Sequence, residues 1–559
     1  MSQTYDLIVV GAGAAGLTAA AVAAAAGQKV LILESSELIG GTTAISGGMV
    51  WIPANHKMVE SGIADSVESA NAYLDGTLPA EANRSIREAF LSHGDEMVQF
   101  LEARTTVRLR CVPIYPDYYP ELRGSTAGGR VLEPVPFDGR QLGKAFNRLR
   151  PPPPEFTLLG GMMVSREDIP HFRRVTHSLR SFARVSNLIV RYLIQRLGAT
   201  RGTTLFLGNA LAARLYKSVL DLGVDIRLGV KGERLIRNDG RVVGIEVSDR
   251  GNSQIVHARK GVVLSTGGIS HDSDLRQRYV PAQSGSLSAA VDPGTGRPGA
   301  RLAMQAGAQM RKSCDHGAFW VPTSCFTRTD GSRGKFPHTV TDRAKPGLIA
   351  VDSMGKRFVN EAVSYHEFGL AQLRAPAQRV PAYLICDRRF LWKYGLGRVK
   401  PFSLAVNAEI HSGYLKRAPT IGLLANAIGI PPAALTATVS AFNANAGQGV
   451  DREFGRGTDM YQRHLGDADH RPNPCVAPLE TKPFYAVAVY PADLGMSAGI
   501  MTDASARVLD EQGVPIPGLY ACGNDMNSVM DGAYPGPGIT LGPAMTFAYL
   551  AARHATTVT

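Results

Sequence analysis

Apolar residues come along this chain mostly in short unbroken runs rather than in strict alternation. Leu7-Ile8-Val9-Val10 and Val30-Leu31-Ile32-Leu33 are two such runs. Val263-Leu264 and Leu519-Tyr520-Ala521 are shorter ones that end in cysteine, hydroxyl and glycine residues. Runs of this length predict parallel strands buried on both faces. The small residues of Leu17 to Ala26 predict a helix held tightly on the sheet. Gly208 to Leu222 predicts another helix, and Val224–Leu228 and Val242–Val247 predict strands around a turn at Asn238-Asp239-Gly240. Helices are expected at Thr420–Ala427 and Pro432–Ala446. Between Ile169 and Leu193 two patterns overlap. Arg173, His177, Arg180, Arg184 and Arg191 recur at helical spacing, while Phe172, Val175, Leu179, Phe182, Ile189 and Leu193 lie on a different face, widened by Leu188 and Tyr192. A cationic amphipathic helix suits a lipid headgroup layer, and equally suits packing on its own domain or on a second subunit.

Chemistry enters where the first strand meets the first helix. Gly11-x-Gly13-x-x-Gly16 stands at that junction, and the second strand ends in Glu34. Gly11 allows the tight turn, Gly13 lets a pyrophosphate approach the backbone, and Gly16 permits close helix–strand contact. The helix N-terminus favours phosphate charge, and Glu34 can accept from a ribose diol. A purely structural glycine turn would leave Glu34 without a reason. A second glycine and hydroxyl loop follows at once, with Gly41, Thr42, Thr43, Ser46, Gly47 and Gly48. It suits a longer ligand whose pyrophosphate and flat ring both need backbone contacts, which favours FAD over NAD. Gly267-Gly268 and Gly523-Asn524-Asp525 are further polar strand ends, and Ala15, Val230, Thr540 and Leu541 complete the expected cofactor-binding set. No second complete GxGxxG with an acid after its strand appears, so a separate NADPH site is not expected. Near the C-terminus, Met530 to Ala544 packs glycines, prolines and Tyr534 before an apolar, helix-like run. Such a segment brings bare N–H groups and a phenol against a flat ligand.

Longer motifs carry a resemblance. Ser46-Gly47-Gly48-Met49-Val50-Trp51-Ile52-Pro53, Pro116-Asp117-Tyr118-Tyr119-Pro120-Glu121, Gly355-Lys356-Arg357-Phe358-Val359-Asn360-Glu361-Ala362 with Tyr365, and Tyr534-Pro535-Gly536-Pro537-Gly538 resemble the FAD-dependent 3-ketosteroid Δ1-dehydrogenases of the fumarate reductase/succinate dehydrogenase flavoprotein superfamily. The resemblance implies an oxidoreductase acting on CH–CH groups. Tyr365 would remove the C2 proton with support from Tyr118, and the Tyr534 hydroxyl and Gly538 N–H would hold the C3 carbonyl oxygen. The flavin would take the C1 hydride. Two donors at that oxygen suit an enolate-like transition state, one donor being worth about 3–4 kcal/mol. A tyrosine base is harder, since bringing a phenol from about 10 to neutral pH needs about 4 kcal/mol. A second phenol and helix dipoles are the expected sources. Arg357 and Glu361 are expected to form a structural pair.

The implied fold class is α/β: a discontinuous Rossmann-like FAD-binding domain at 1–135, 202–290 and 480–559, an inserted α+β catalytic and capping domain at 291–479, and a basic helical insertion at 136–201 entered through Pro151–Pro154. At 559 residues the chain is too long for one core. A hydrophobic fraction of 44% and a charged fraction of 19% describe an ordinary soluble protein. A net charge of +12 favours anionic partners or a headgroup surface, whereas no basic element with interleaved aromatics points to nucleic acid. Cys111, Cys314, Cys325, Cys386, Cys475 and Cys522 are scattered, which suits reduced thiols. The first strand follows Asp6 at once, so no signal peptide is expected and the setting is cytoplasmic, with peripheral contact to the inner face of the membrane. His171 and His177 lack acids or cysteines at ligand spacing, and no metal is expected. Partners are a 3-ketosteroid and an external electron acceptor such as a quinone. Two departures qualify the resemblance. Leu494 to Ile500 lacks the His that dicarboxylate-reducing relatives would carry, and His464-Leu465 replaces an expected aromatic pair. A smaller cyclic ketone, a Δ4 desaturation, a fumarate-type reduction and a non-catalytic flavin or lipid carrier stay open.

Overall fold

The computed structural model describes residues 4–80, 82–165, 167–280, 285–294, 296–311, 316–404 and 406–557, without the Arg173 side chain. Cys314 therefore lies outside the described residues. The strand Thr4–Val10, apolar from Leu7 onward, sits in the middle of an eight-stranded sheet. On one side it pairs in parallel with Val30–Glu34, which pairs in parallel with Asp225–Leu228. On the other it pairs in parallel with the end of the long strand Asn252–Leu264, which pairs in parallel with Pro515–Ala521. Register is what matters here. Val10 stands opposite both Leu33 and Leu264, and Leu264 stands opposite Ala521. Four strands from distant parts of the chain thus end at one carboxyl edge, where ligands of open α/β sheets bind.

The alanine-rich helix Ala14–Ala25 covers this sheet and packs against the helix Leu541–Thr557. Small side chains allow both contacts. The hairpin Val230–Asn238 and Arg241–Asp249 extends the sheet from the outer half of Asn252–Leu264.

A second sheet of six strands forms the other lobe. Its spine is Phe484–Met496, hydrogen-bonded antiparallel to Ala318–Thr327 on one side and Ala382–Asp387 on the other. This corrects the expected boundary at 480. The spine strand is buried on both faces between two strands of the capping lobe, so the chain returns to the first sheet only after Met496. The helix Tyr365–Leu373 packs on this sheet, capped by Ser364, whose hydroxyl accepts from the Glu367 N–H. Arg357 makes paired hydrogen bonds to both Glu361 and Asp451, all three buried, with Arg456 completing the cluster.

The basic stretch is two helices rather than one, Ile169–Arg173 and Leu179–Arg196, because Ser178 caps a new start by accepting from the Ser181 N–H. Among the described residues no helix is long and apolar enough to cross a membrane, and no group of His, Cys, Asp or Glu could hold a metal ion. Cys111, Cys325, Cys386, Cys475 and Cys522 form no disulfide.

Candidate functional site

The glycine turn occupies the carboxyl edge of the first sheet. Gly11 adopts φ +108°, and a Cβ there would lie 2.3 Å from the Ser265 carbonyl oxygen. A Cβ on Gly16 would lie 1.9 Å from the Gly11 oxygen, so the helix rests directly on the turn. Gly13 differs: a Cβ there would find only the Thr43 hydroxyl, at 3.9 Å. Gly47 and Gly267 face open space within 4 Å, and Gly41 approaches nothing but Gly13. Backbone is therefore bare where a pyrophosphate and a flat ring would need it. Glu34 accepts from the Ala12 N–H at 2.8 Å and the Ser36 N–H at 2.9 Å. Burial raises its pKa, against the pull of those two bonds. Val230 begins two residues after Leu228, the residue paired with Glu34.

The second loop is a short 3-10 turn, Gly41–Ile45. Thr43 accepts from the Ala14 N–H at 3.0 Å, tying this loop to the first helix, and Thr42 accepts from the Val291 N–H at 3.0 Å. Ser46 and Gly48 turn toward the helix Leu207–Asp221: the Ser46 carbonyl accepts from the Gly208 N–H, and a Cβ on Gly48 would lie 2.4 Å from that nitrogen. Gly48 thus lets the loop lie directly against that helix. Asp525 has protein partners of its own. Its buried carboxylate accepts from the Thr266 N–H and hydroxyl and from the Gly268 N–H, bracing two cofactor loops against each other. Gly523 lies against Ala15, and Gly268 against Asn524. A narrow cleft lined by Gly523, Asn524, Thr540 and Ala544 runs to Phe319. Phe319 in turn meets the Tyr534 ring edge-on at 5.3 Å. Leu541 opens the helix at that cleft.

Beyond Phe319 the phenols converge. The Tyr365 hydroxyl donates to the Tyr534 oxygen at 2.8 Å. Tyr118 stacks on Tyr534 with ring centroids 5.7 Å apart and meets Tyr365 edge-on at 5.8 Å. Each arrives by a separate route. Tyr365 opens a helix of the capping lobe. Tyr534 and Tyr118 are bolted together through Pro535, whose carbonyl accepts from the Tyr118 N–H at 2.9 Å and the Tyr73 hydroxyl at 2.6 Å. Asp117 is held by the Trp51 indole N–H and by buried Arg130. Gly538, at φ +97°, lies so close to Met49 that a Cβ would come within 2.6 Å of its oxygen. The Gly538 carbonyl accepts from Trp51 and Gly542, while its N–H has no hydrogen-bond partner among the described residues. Tyr119 leaves the cluster, donating to Glu367 at 2.8 Å.

Two neighbours carried no assigned role in the sequence. Tyr461 packs on Tyr118 at 4.6 Å, and both phenol oxygens are buried without a partner within hydrogen-bonding geometry. His366, next to the Tyr365 backbone, lies 5.6 Å from the Tyr534 ring. Burial pushes its pKa down to about 3, so the ring is neutral. Its place directly after Tyr365 was the one visible signal.

Burial raises the pKa of Tyr365, Tyr118, Tyr461 and Tyr534 alike. The expected help from a second phenol is present, but it is not the largest influence on Tyr365. Tyr118 does lower it, but burial and Tyr534 outweigh that. Tyr365 also stands at a helix N-terminus, where a dipole contributes about 0.3–1 kcal/mol, well short of the desolvation it opposes.

The family model described as FAD binding domain matches residues 6–541. The chain is 35% identical to 3-oxosteroid 1-dehydrogenase of Mycobacterium tuberculosis, over 99% of this chain and 98% of that protein. It is 36% identical to 4-oxocyclohex-2-ene-1-carboxylate 5-dehydrogenase of Sinomonas cyclohexanicum, over 98% and 93%. The crystal structure of 3-ketosteroid Δ1-dehydrogenase from Sterolibacterium denitrificans, in complex with 1,4-androstadiene-3,17-dione, superposes with a TM-score of 0.91 at 37% identity, covering 99% of this chain and all of that one.

Proposed function

The chain belongs to the FAD binding domain family and is an FAD-dependent oxidoreductase, and from that premise we propose that it desaturates a 3-ketosteroid between C1 and C2. The observation that carries this reading is the contact of Tyr365 and Tyr534 at 2.8 Å beside the unpartnered Gly538 N–H. Tyr534 and Gly538 are the donors to the C3 carbonyl oxygen, Tyr365 accepts the C2 proton, and Tyr118 supports it. The bare backbone at Gly13, Gly41, Gly47 and Gly267, with Glu34 and the loop at Gly523-Asn524, fits FAD. When bound, FAD supplies the two-electron acceptor for the C1 hydride.

Tyr534 is the acceptor in its hydrogen bond with Tyr365, so its own hydroxyl proton is free to go to a ketone. Tyr365 takes the C2 proton only as its phenolate, so its own proton must first leave the site. Donors aimed at the oxygen where charge develops stabilise the enolate-like transition state more than the ground state.

The Sinomonas relative supports a second reading, a smaller ring ketone bearing a carboxylate. Such a substrate needs a cation, and Arg343, whose charge reaches Tyr118 and Tyr461, is committed to the carbonyls of His338, Thr339, Glu361 and Val363. A neutral steroid fits better. Turnover also needs an external electron acceptor, which we assign to a quinone. The enzyme's setting in this reading is the cytoplasm, in peripheral contact with the inner face of the membrane.

Anaerobic bleaching of the flavin absorbance by androst-4-ene-3,17-dione, without NADPH, tests the proposal, with 1,4-diene as the expected product. Bleaching by 4-oxocyclohexanecarboxylate alone would transfer the assignment to the smaller ring. A 4-ene product from a saturated A ring, with no 1-ene, would overturn the C1–C2 position.

A further inference from the structure

We infer that His366 is a positioning residue for the phenol pair, a latch between the two lobes that sets Tyr534 against Tyr365. The inference rests on the roles proposed for those two phenols and adds a residue that acts through them. His366 sits buried in the first turn of the helix Tyr365–Leu373. That helix lies directly on the capping sheet: a Cβ on Gly369, three residues further on, would come within 2.5 Å of the Trp320 Cβ. His366 engages the same strand, its Nδ1 accepting from the Trp320 N–H at 3.1 Å.

That contact decides the chemistry of the ring. A backbone N–H only donates, so Nδ1 carries a lone pair, and the single proton of a neutral imidazole then sits on Nε2. Burial keeps the ring neutral. Its second hydrogen bond goes to the Gly532 carbonyl, which only accepts, so Nε2–H is the donor. Both nitrogens are thereby committed to backbone, and His366 is neither acid nor base toward a ketone.

Gly532 belongs to the other lobe. It lies two residues before Tyr534, at φ +93°, in a turn closed by the Ala533 N–H donating to the Met530 carbonyl. Tyr534 is therefore gripped on both sides. After it, Tyr73 and Tyr118 hold the Pro535 carbonyl, and both come from the lobe of Tyr534 itself. Before it, the Gly532 carbonyl is held from the lobe that carries Tyr365. Two crossings between the lobes thus run side by side, Tyr365 to Tyr534 and His366 to Gly532. They differ in what the reaction does to them. Once Tyr365 has lost its proton it can no longer donate to Tyr534. The bond at Gly532 is untouched by that step and keeps the Tyr534 hydroxyl aimed at the ketone. Holding a donor within a fraction of an ångström of the developing oxyanion is what makes it effective.

The test is a double-mutant cycle on the full-length, flavin-loaded protein, read as the rate of anaerobic flavin bleaching at saturating ketone. His366→Asn keeps an acceptor for the Trp320 N–H and is too short to reach Gly532, while His366→Gln carries an amide N–H far enough to donate there. His366→Asn should slow bleaching roughly 10²-fold, the loss that about 1 Å of misplacement causes. His366→Gln should recover at least about tenfold of that loss. In a Tyr534→Phe background, His366→Asn should change the rate by less than about twofold, because a residue that acts through the Tyr534 hydroxyl then has nothing left to position. Equal losses in the two backgrounds overturn the inference, and so does a His366→Asn rate within about threefold of wild type. A variant that loses its flavin, by the ratio of flavin to protein absorbance, also overturns it, since His366 would then be structural. The cycle is run with whichever of androst-4-ene-3,17-dione and 4-oxocyclohexanecarboxylate bleaches the wild type faster. Failure of the steroid alone sinks the steroid reading, and the cycle with the smaller ketone still judges His366; bleaching by neither overturns both.

Discussion

Removing one hydroxyl, Tyr534→Phe, tests the site through two effects of opposite sign. The Tyr534 oxygen lies 2.8 Å from the Tyr365 hydroxyl and is one of two donors assigned to the ketone. Losing one donor at a developing oxyanion costs about 3–4 kcal/mol, so the rate of flavin reduction should fall ~10²–10³-fold. The Gly538 N–H supplies what remains. The second effect concerns pH. Burial is the largest cause lifting the Tyr365 pKa, and the Tyr534 phenol adds to it by charge and by hydrogen bond. Deleting Tyr534 removes those additions, so the Tyr365 pKa should drop. In wild type the phenol titrates well above 10, and the reduction rate should climb about tenfold per pH unit through the neutral and mildly alkaline range. In the variant the rate is lower throughout, yet its alkaline limb should begin at lower pH. Anaerobic stopped-flow bleaching at saturating ketone, from about pH 6 to 10, reads both effects without involving the external acceptor. A variant within about threefold of wild type would refute the oxyanion role. A limb displaced toward higher pH would refute the coupling, and a flat wild-type profile would remove Tyr365 as the base.

Three further expectations follow from the same contacts. Tyr118→Phe should slow flavin reduction roughly 10²-fold, whereas Tyr119→Phe, whose phenol donates to Glu367 outside the cluster, should stay near wild type; equal losses in the two would show that the loop matters only for packing. Gly16→Ala places a Cβ 1.9 Å from the Gly11 oxygen and should yield protein with little bound flavin, while Gly47→Ala meets nothing within 4 Å and should fold normally, as read by the ratio of flavin to protein absorbance. Glu361→Gln should cost about 3–5 kcal/mol at neutral pH, because Arg357 and Arg456 would face a buried neutral partner. Burial opposes ionisation of Glu361, but the two arginines win and hold its pKa below the ordinary carboxylate value of 4.5. Its contribution is therefore full above about pH 4.5 and fades as pH falls through the folded pKa. Thermal melts of both proteins at pH 7 and pH 4 should show the gap narrowing in acid, and a constant gap would count against the charge pairing.

Several parts of this protein were legible as local pattern. The turn at Gly11, Gly13 and Gly16, the strand ending in Glu34, and the helices near 208–222 and 432–446 follow from spacing and side-chain size, which act over a few residues. The tyrosines were legible only by resemblance, since nothing local separates Tyr118 from Tyr119. The distinction arises because Tyr119 finds Glu367, a residue 248 positions away. Loop motif and strand end marked Gly48 and Asp525, but only the fold shows that Gly48 lies against the backbone of Gly208 and that Asp525 accepts from the N–H groups of Thr266 and Gly268. The boundary at 480 failed for the same reason, because a buried apolar strand carries no mark of which sheet will take it.

By itself, the order of residues determined a nucleotide-binding strand–turn–helix, an inventory of phenols and a cationic amphipathic stretch, all set by forces between near neighbours. Tertiary structure alone decided that Val10, Leu33, Leu264 and Ala521 end side by side, that Tyr365 and Tyr534 touch, and that Leu179 and Leu197 face outward. Those outcomes depend on strand register and on which surfaces are desolvated together, and both are properties of contacts between segments hundreds of residues apart.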